Sequence, residues 1–352
     1  MKVPSEKQAI AQIVKALSDL VNVSLDDVGV FREPRAPNAD AVVKAGPFTF
    51  VVEWKGSNNA GSVAIAVEQV RKYARQLSKK AIPLVAVPFM GEVGRERCAE
   101  AGVSWMDLSG NARIIAPGLR IIVEGKPNRF KRKGRPSTAF APKSSRIARW
   151  LLMHPDQPVT QREIAQATDM DEGFTSRIVA KLEEDNLIVR DKERAIKVRD
   201  PDLLLDSWRE EYDFEKHYII RGHIPARSGD ALVRQIADAL GKTSIDYAAT
   251  GLAAAWLTER FAGFRIVTVY LREEPSPKLL ESISFREDDH GANTWLVVPN
   301  DAGVFHGVSV HDNVCCVHPV QVYLDLKGHP ERSHEAAENL RAEHLNWSKD
   351  AR

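Results

Sequence analysis

The stretch Asn38-Ala-Asp-Ala-Val-Val-Lys-Ala-Gly-Pro-Phe-Thr-Phe-Val-Val-Glu-Trp-Lys55 reads as two β-strands joined by a turn at Gly46-Pro47. Asp40 stands at the start of the first strand. Val51, Glu53 and Lys55 share one face of the second, because strand side chains alternate with a period of two. Two carboxylates and an ammonium converging at a strand end are expensive to desolvate, which argues against a purely structural role. Together they suit metal-assisted attack on a phosphodiester. Asp40 and Glu53 would be hard oxygen ligands to Mg²⁺ or Mn²⁺, and Lys55 would neutralise charge or orient water.

Beyond the hairpin, Val63-Ala-Ile-Ala-Val-Glu-Gln-Val-Arg-Lys-Tyr73 reads as a helix carrying Gln69 and Tyr73 one turn apart on one face. The set Asp40…Glu53-x-Lys55, followed by Gln69-x-x-x-Tyr73, resembles the PD-(D/E)xK nuclease superfamily, and the helix matches its RecB-like members. The resemblance implies a restriction-endonuclease-like α/β domain over residues 1–125. It further implies Asp40, Glu53, Lys55, Gln69 and Tyr73 as the active-site set, with Gln69 and Tyr73 fixing the DNA backbone or the active-site helix.

Composition bounds the remainder. A chain of 352 residues is long for one core and suggests two or three domains. It is 43% hydrophobic and 28% charged, ordinary for a soluble globular protein. No apolar run is long enough to span a bilayer, and the first residues are no signal peptide. Three cysteines argue against a disulfide framework, so the cytoplasm is expected. The net charge is only +1, so a nucleic-acid surface has to come from local clustering.

Such a cluster follows the first domain. From Lys126 to Arg146 there are eight basic residues and no acidic one, interrupted by Pro127, Gly134, Pro136 and Pro142. Residues 126–143 read as a basic linker, with Lys131, Arg132, Lys133 and Arg135 expected on DNA phosphates. A solvated tether is the alternative.

Residues 144–200 read as a winged helix-turn-helix. Ser144 to His154 has an apolar stripe at Ile147, Trp150, Leu151 and His154. Thr160 caps a short helix with Glu163 completing a Thr-x-x-Glu box. After a turn at Asp169 to Gly173 comes a third helix ending near Glu184, then a hairpin from Asn186 to Arg199. In such a domain the third helix would offer Thr175, Ser176, Arg177 and Lys181 to the major groove. Arg190, Lys192 and Arg194 on the wing would reach the backbone.

Residues 201–352 alternate helical and strand patterns and mark a mixed α/β module. Gly229 to Leu240 is an amphipathic helix; Ile266–Leu271 and Thr294–Pro299 are strands; a charged helix starts at Ser333. Thr250-Gly251 before an alanine-rich helix reads as tight packing and not as a phosphate loop. The group His306, His311, Cys315, Cys316 and His318 reads as a buried cysteine with surface histidines, since adjacent cysteines point to opposite strand faces. Together with the winged helix, Tyr247-Ala-Ala-Thr-Gly-Leu-Ala-Ala-Ala and Gln321-Val-Tyr-Leu-Asp-Leu resemble AbiEi-type antitoxins and transcriptional regulators. That resemblance runs from roughly Ser144 to the end and implies a nucleotidyltransferase-related module. Asp246 and Asp325 stand alone in sequence, without the Gly-Ser and Asp-x-Asp signature of active transferases, so a scaffold or a surface for a toxin or other protein partner is expected.

Two function classes remain. One is a Mg²⁺-dependent DNA endonuclease targeted to double-stranded DNA by its winged helix. The other is a non-cleaving regulator or antitoxin that keeps a dormant nuclease fold. Either class fits a homodimer on palindromic DNA.

Overall fold

A computed structural model of the chain describes residues 1–31, 39–130, 138–261, 263–288 and 290–347. Lys131, Arg132, Lys133 and Arg135 lie outside these residues. By internal contacts the chain divides into two units, Met1–Ser137 and Thr138–Arg352.

The first unit contains α1 (Glu6–Val21), β1 (Val28–Phe31), β2 (Ala41–Ala45), β3 (Phe48–Trp54), α2 (Ala60–Leu77), β4 (Ile82–Val87), α3 (Glu92–Glu100), β5 (Ser104–Asp107), β6 (Ala112–Ala116) and β7 (Leu119–Val123). Its seven strands form one sheet in sequence order. Gly46, at φ 57°, takes the left-handed conformation that closes the β2–β3 hairpin at little cost to glycine. The β3–β4 and β4–β5 pairs are parallel, with α2 and α3 as their crossovers; the outer pairs are antiparallel.

Strand alternation sorts the sheet's two faces. Phe50, Val52 and Trp54 face a core completed by Ile13 and Leu17 of α1. Val51, Val85 and Trp105 face a second core completed by Val63, Val67 and Val70 of α2. After β7 the chain stays tied to the unit. Asn111 Oδ1 accepts from the Lys126 amide at 2.8 Å, and the Asn111 side-chain amide donates to the Lys126 carbonyl at 3.1 Å.

The second unit opens with α4 (Ser145–Met153), α5 (Gln161–Ala167) and α6 (Glu172–Glu184), followed by β8 (Ile188–Arg190) and β9 (Ile196–Val198). The expected cap at Thr160 is present: its Oγ1 accepts from the Glu163 amide at 3.3 Å, and Glu163 Oε2 accepts from the Thr160 amide at 2.7 Å. The two-stranded wing gains a third partner through Val159, whose amide donates to the Ile196 carbonyl at 3.0 Å. In α4 the buried stripe is Ile147, Ala148, Leu151 and Leu152. Trp150 is only half-buried and stacks on His154 at 4.6 Å, so the apolar face is rotated from the one expected.

The remaining elements are α7 (Pro201–Glu211), β10 (Tyr218–His223), α8 (Gly229–Leu240), β11 (Tyr247–Thr250), α9 (Gly251–Glu259), β12 (Val267–Leu271), α10 (Pro277–Ser282), β13 (Arg286–Glu287), β14 (Thr294–Val298), β15 (Ser309–His311), β16 (Val314–Cys316), α11 (Pro319–Asp325) and α12 (Ser333–His344). A mixed sheet runs β13-β10-β14-β12-β11-β16-β15. Cys316 is buried as expected. His306, His311 and His318 are half-buried, and His318 Nδ1 accepts from the Val320 amide at the start of α11. Arg146 of α4 joins Asp301 through two bonds, at 2.7 and 2.9 Å, anchoring the winged helix to this module.

Candidate active site and nucleic-acid interface

The β2–β3 register pairs Ala41 with Val52, which brings Asp40 beside the end of β3. Asp40 Oδ2 accepts from the Trp54 amide at 2.7 Å. Glu53, on the same sheet face as Val51, is 4% exposed. Lys55 lies just past the strand, where its amide donates to the Ala86 carbonyl at 3.0 Å. Its ammonium donates to Glu53 Oε1 at 2.7 Å and to Gln69 Oε1 of α2 at 3.0 Å. Glu53, Lys55 and Gln69 therefore form one hydrogen-bonded cluster with Asp40 next to it.

Tyr73, a turn beyond Gln69, packs in the core with Val70 and Trp105. Gln69 thus serves the polar cluster, while Tyr73 secures the helix that carries it.

Burial raises the Glu53 carboxyl above its ordinary range; the Lys55 hydrogen bond opposes this, and the negative charges of Asp40 and Glu6 add to it. The second oxygen, Glu53 Oε2, is buried without a hydrogen-bond partner. Glu6, in the first turn of α1, is the acid that sequence reasoning missed; an acid at a helix start reads as a favourable dipole partner, and nothing local ties it to Glu53.

In the winged helix, α6 presents Ser176 and Arg177 to solvent. Thr175, expected beside them on DNA, is 0% exposed, and its Oγ1 donates to the Asp171 carbonyl at 2.9 Å. It faces the core because it lies three residues before Ile178 on the buried stripe. Lys181 donates to Glu184 at 3.1 Å and Asp185 at 3.0 Å, and Arg190 donates to Glu183 at 3.0 Å. These two cations are already engaged by carboxylates. Arg177 lies over the Phe174 ring at 5.6 Å, with Lys143 5.8 Å from the same ring. Lys192 and Arg194 are exposed at the wing tip, where Asp191 Oδ1 accepts from the amides of Glu193 and Ala195, both at 2.9 Å.

The C-terminal module holds a second polar cluster. Asp246 is exposed and pairs with Arg272 at 2.8 Å. Asp325, isolated in sequence, is buried among donors: Gln321 at 2.7 Å, Tyr270 at 3.0 Å, Tyr212 and Thr250. Thr250 is buried, in keeping with the packing role read for it. Among the described residues, no three His, Cys, Asp or Glu side chains gather closely enough to hold a metal ion by themselves. Nor is any described helix long and apolar enough to cross a membrane.

Residues 141–195 match the MarR family, and residues 197–346 match a family described as transcriptional regulator, AbiEi antitoxin, type IV toxin-antitoxin system. The second unit thus carries a winged helix similar to the MarR family, followed by a domain similar to AbiEi-antitoxin transcriptional regulators. Comparison with curated proteins and with solved structures gives no match.

Proposed function

We propose that the protein is a DNA-binding transcriptional regulator of the antitoxin type, acting on double-stranded DNA. The observation that carries this reading is the contiguous run of a MarR-family winged helix and an AbiEi-antitoxin domain. Arg177 reads base edges from α6, while Lys192 and Arg194 hold phosphates from the wing. The AbiEi-like module binds a toxin or another protein, and a two-fold dimer matches palindromic half-sites. The test is a gel-shift titration on the DNA upstream of its own gene, with random duplex as competitor. Equal affinity for both duplexes would rule out sequence-specific regulation.

A second reading concerns the first unit: a metal-dependent phosphodiesterase with a PD-(D/E)xK-like site. The buried, unpartnered Glu53 Oε2 favours it, since a carboxylate oxygen kept from water beside a second acid calls for a cation. Asp40 and Glu53 are the residues that would hold Mg²⁺ or Mn²⁺, together with the Trp54 carbonyl and water; magnesium ordinarily keeps several waters. When bound, the ion would supply Lewis-acid polarisation of a phosphodiester. Lys55 orients the attacking water and offsets the carboxylate charge, and Gln69 holds Lys55 in place from α2. Plasmid nicking with Mg²⁺ or Mn²⁺, lost in Glu53→Ala and Lys55→Ala, is the expected outcome. No nicking by the unaltered chain with either ion would leave the first unit as a binding platform.

A further inference from the structure

We propose that the uncovered face of the β6–β7 hairpin is a duplex-DNA-binding surface; the inference rests on the reading that the first unit acts on DNA. Strand registers align Glu53 with Val85, Val85 with Trp105, Trp105 with Arg113, and Arg113 with Ile122. Aligned residues on neighbouring strands project to one face, so this row crosses the sheet from the carboxylate to its far edge.

The helices cover only part of that face. Val51, Val85 and Trp105 lie under α2 and α3, and the row then emerges into solvent. The next aligned pair, Ile115 with Arg120, extends the open area. It becomes a chequer of Arg113, Ile115, Arg120 and Ile122, with the isoleucines 48% and 42% exposed. The opposite face of the same strands, Ile114 and Ile121, is packed against the α1 side.

Charge selects the occupant. Among the described residues neither Arg113 nor Arg120 is paired with a carboxylate, and Glu124, just past β7, is the one acid that follows in the same alternation. Arg95 of α3 lies over Trp105, the residue aligned with Arg113. Its guanidinium lies 5.5 Å from the Trp105 ring and 5.9 Å from the Phe89 ring, with Nε donating to the Met90 carbonyl at 3.1 Å. A backbone laid along the hairpin would meet the arginine pair, while the isoleucines pack on sugars.

The test uses the full chain and a fluorescein-labelled random duplex in EDTA, with anisotropy titrations from 50 to 300 mM salt. Neutralising Arg113→Gln with Arg120→Gln should flatten the slope of log affinity against log salt by about 2, since each lost phosphate contact removes about 0.9. Arg113→Lys with Arg120→Lys should restore it, which separates phosphate contact from misfolding. An unchanged slope in a double variant with native circular dichroism overturns the proposal. So does a change in sedimentation mass without any change in DNA binding, which would assign the face to contact between copies. Because no cutting occurs in EDTA, the two readings fail separately. A chain that never nicks but loses slope keeps this surface, and one that nicks with an unchanged slope loses it.

Discussion

Arg149 of the winged helix and Asp325 of the C-terminal module are joined in the interior through the side-chain amide of Gln321. Arg149 Nη2 donates to Gln321 Oε1, and Gln321 Nε2 donates to Asp325 Oδ1 at 2.7 Å. The Arg149 guanidinium also lies 5.0 Å from the Trp208 ring, while its Nε and Nη1 are buried without partners. Burial lowers the Arg149 pKa and raises that of Asp325 to about 6. The pair is therefore held at a cost and couples two parts of the unit.

Removing either charge strands the other. Arg149→Ala or Asp325→Ala should each destabilise the chain by about 3–5 kcal/mol, whereas Arg149→Met with Asp325→Leu should cost much less than the sum. Urea denaturation of the three variants measures this. Strict additivity would mean that the two groups do not interact.

A pH dependence follows from two histidines of the same interior. His217 Nδ1 accepts from the Asn300 amide at 3.1 Å, which puts the ring proton on Nε2, 3.0 Å from the Tyr212 hydroxyl. Burial, aided by the charge of Arg149, pushes both His217 and His318 down to about 4 from an ordinary 6.5. Between these values the unfolded chain binds more protons than the folded one. The stability they contribute is thus complete above 6.5 and is lost as pH falls toward 4. Asp325 acts in the opposite sense, its cost being relieved as pH falls from about 6 toward 3.8. In His217→Gln with His318→Gln, only the Asp325 relief remains of the three. The stability gap between the unaltered chain and this variant should therefore shift in the variant's favour on acidification. Urea titrations at pH 7, 5.5 and 4.5 check it, and a gap independent of pH would refute the assignment.

Local chemistry makes much of this fold readable. The Gly46 turn, the Thr160 box, and helices such as Gly229–Leu240 and Ser333–His344 are set by residues within a few positions of one another. Glu53, Lys55 and Gln69 are legible because strand and helix periods place them on facing surfaces. Thr175 departs from expectation because Thr175 and Ser176 differ only in helical phase, and tertiary packing decides which one is buried. Asp325 looks solitary in sequence because Tyr212, Thr250 and Tyr270 reach it from distant segments.

The unpartnered Glu53 oxygen also predicts a trade of stability for function. Glu53→Gln keeps an acceptor for Lys55 and removes a buried charge beside Asp40, so the metal-free chain should melt a few degrees higher. Adding Mg²⁺ should raise the melting temperature of the unaltered chain, since a ligand that binds only the folded state stabilises it. The variant should not respond. An equal Mg²⁺ shift in both, followed by differential scanning fluorimetry, would place the cation elsewhere.

Sequence reading by the winged helix rests on Arg177. It is exposed on α6 beside the Phe174 ring, whereas Lys181 on the same helix is held by Glu184 and Asp185. A bidentate arginine–guanine contact is worth about 1–3 kcal/mol of discrimination. Arg177→Ala should therefore weaken binding to the preferred duplex by that amount and barely alter binding to random duplex. Lys181→Ala should change neither, because its charge is already satisfied by the protein. Both are read in one competition gel-shift series. Equal losses on both duplexes would make Arg177 a phosphate contact and move base reading to Ser176 or the wing. No loss on either would mean that this winged helix docks protein, and the DNA-targeting role would fall with it.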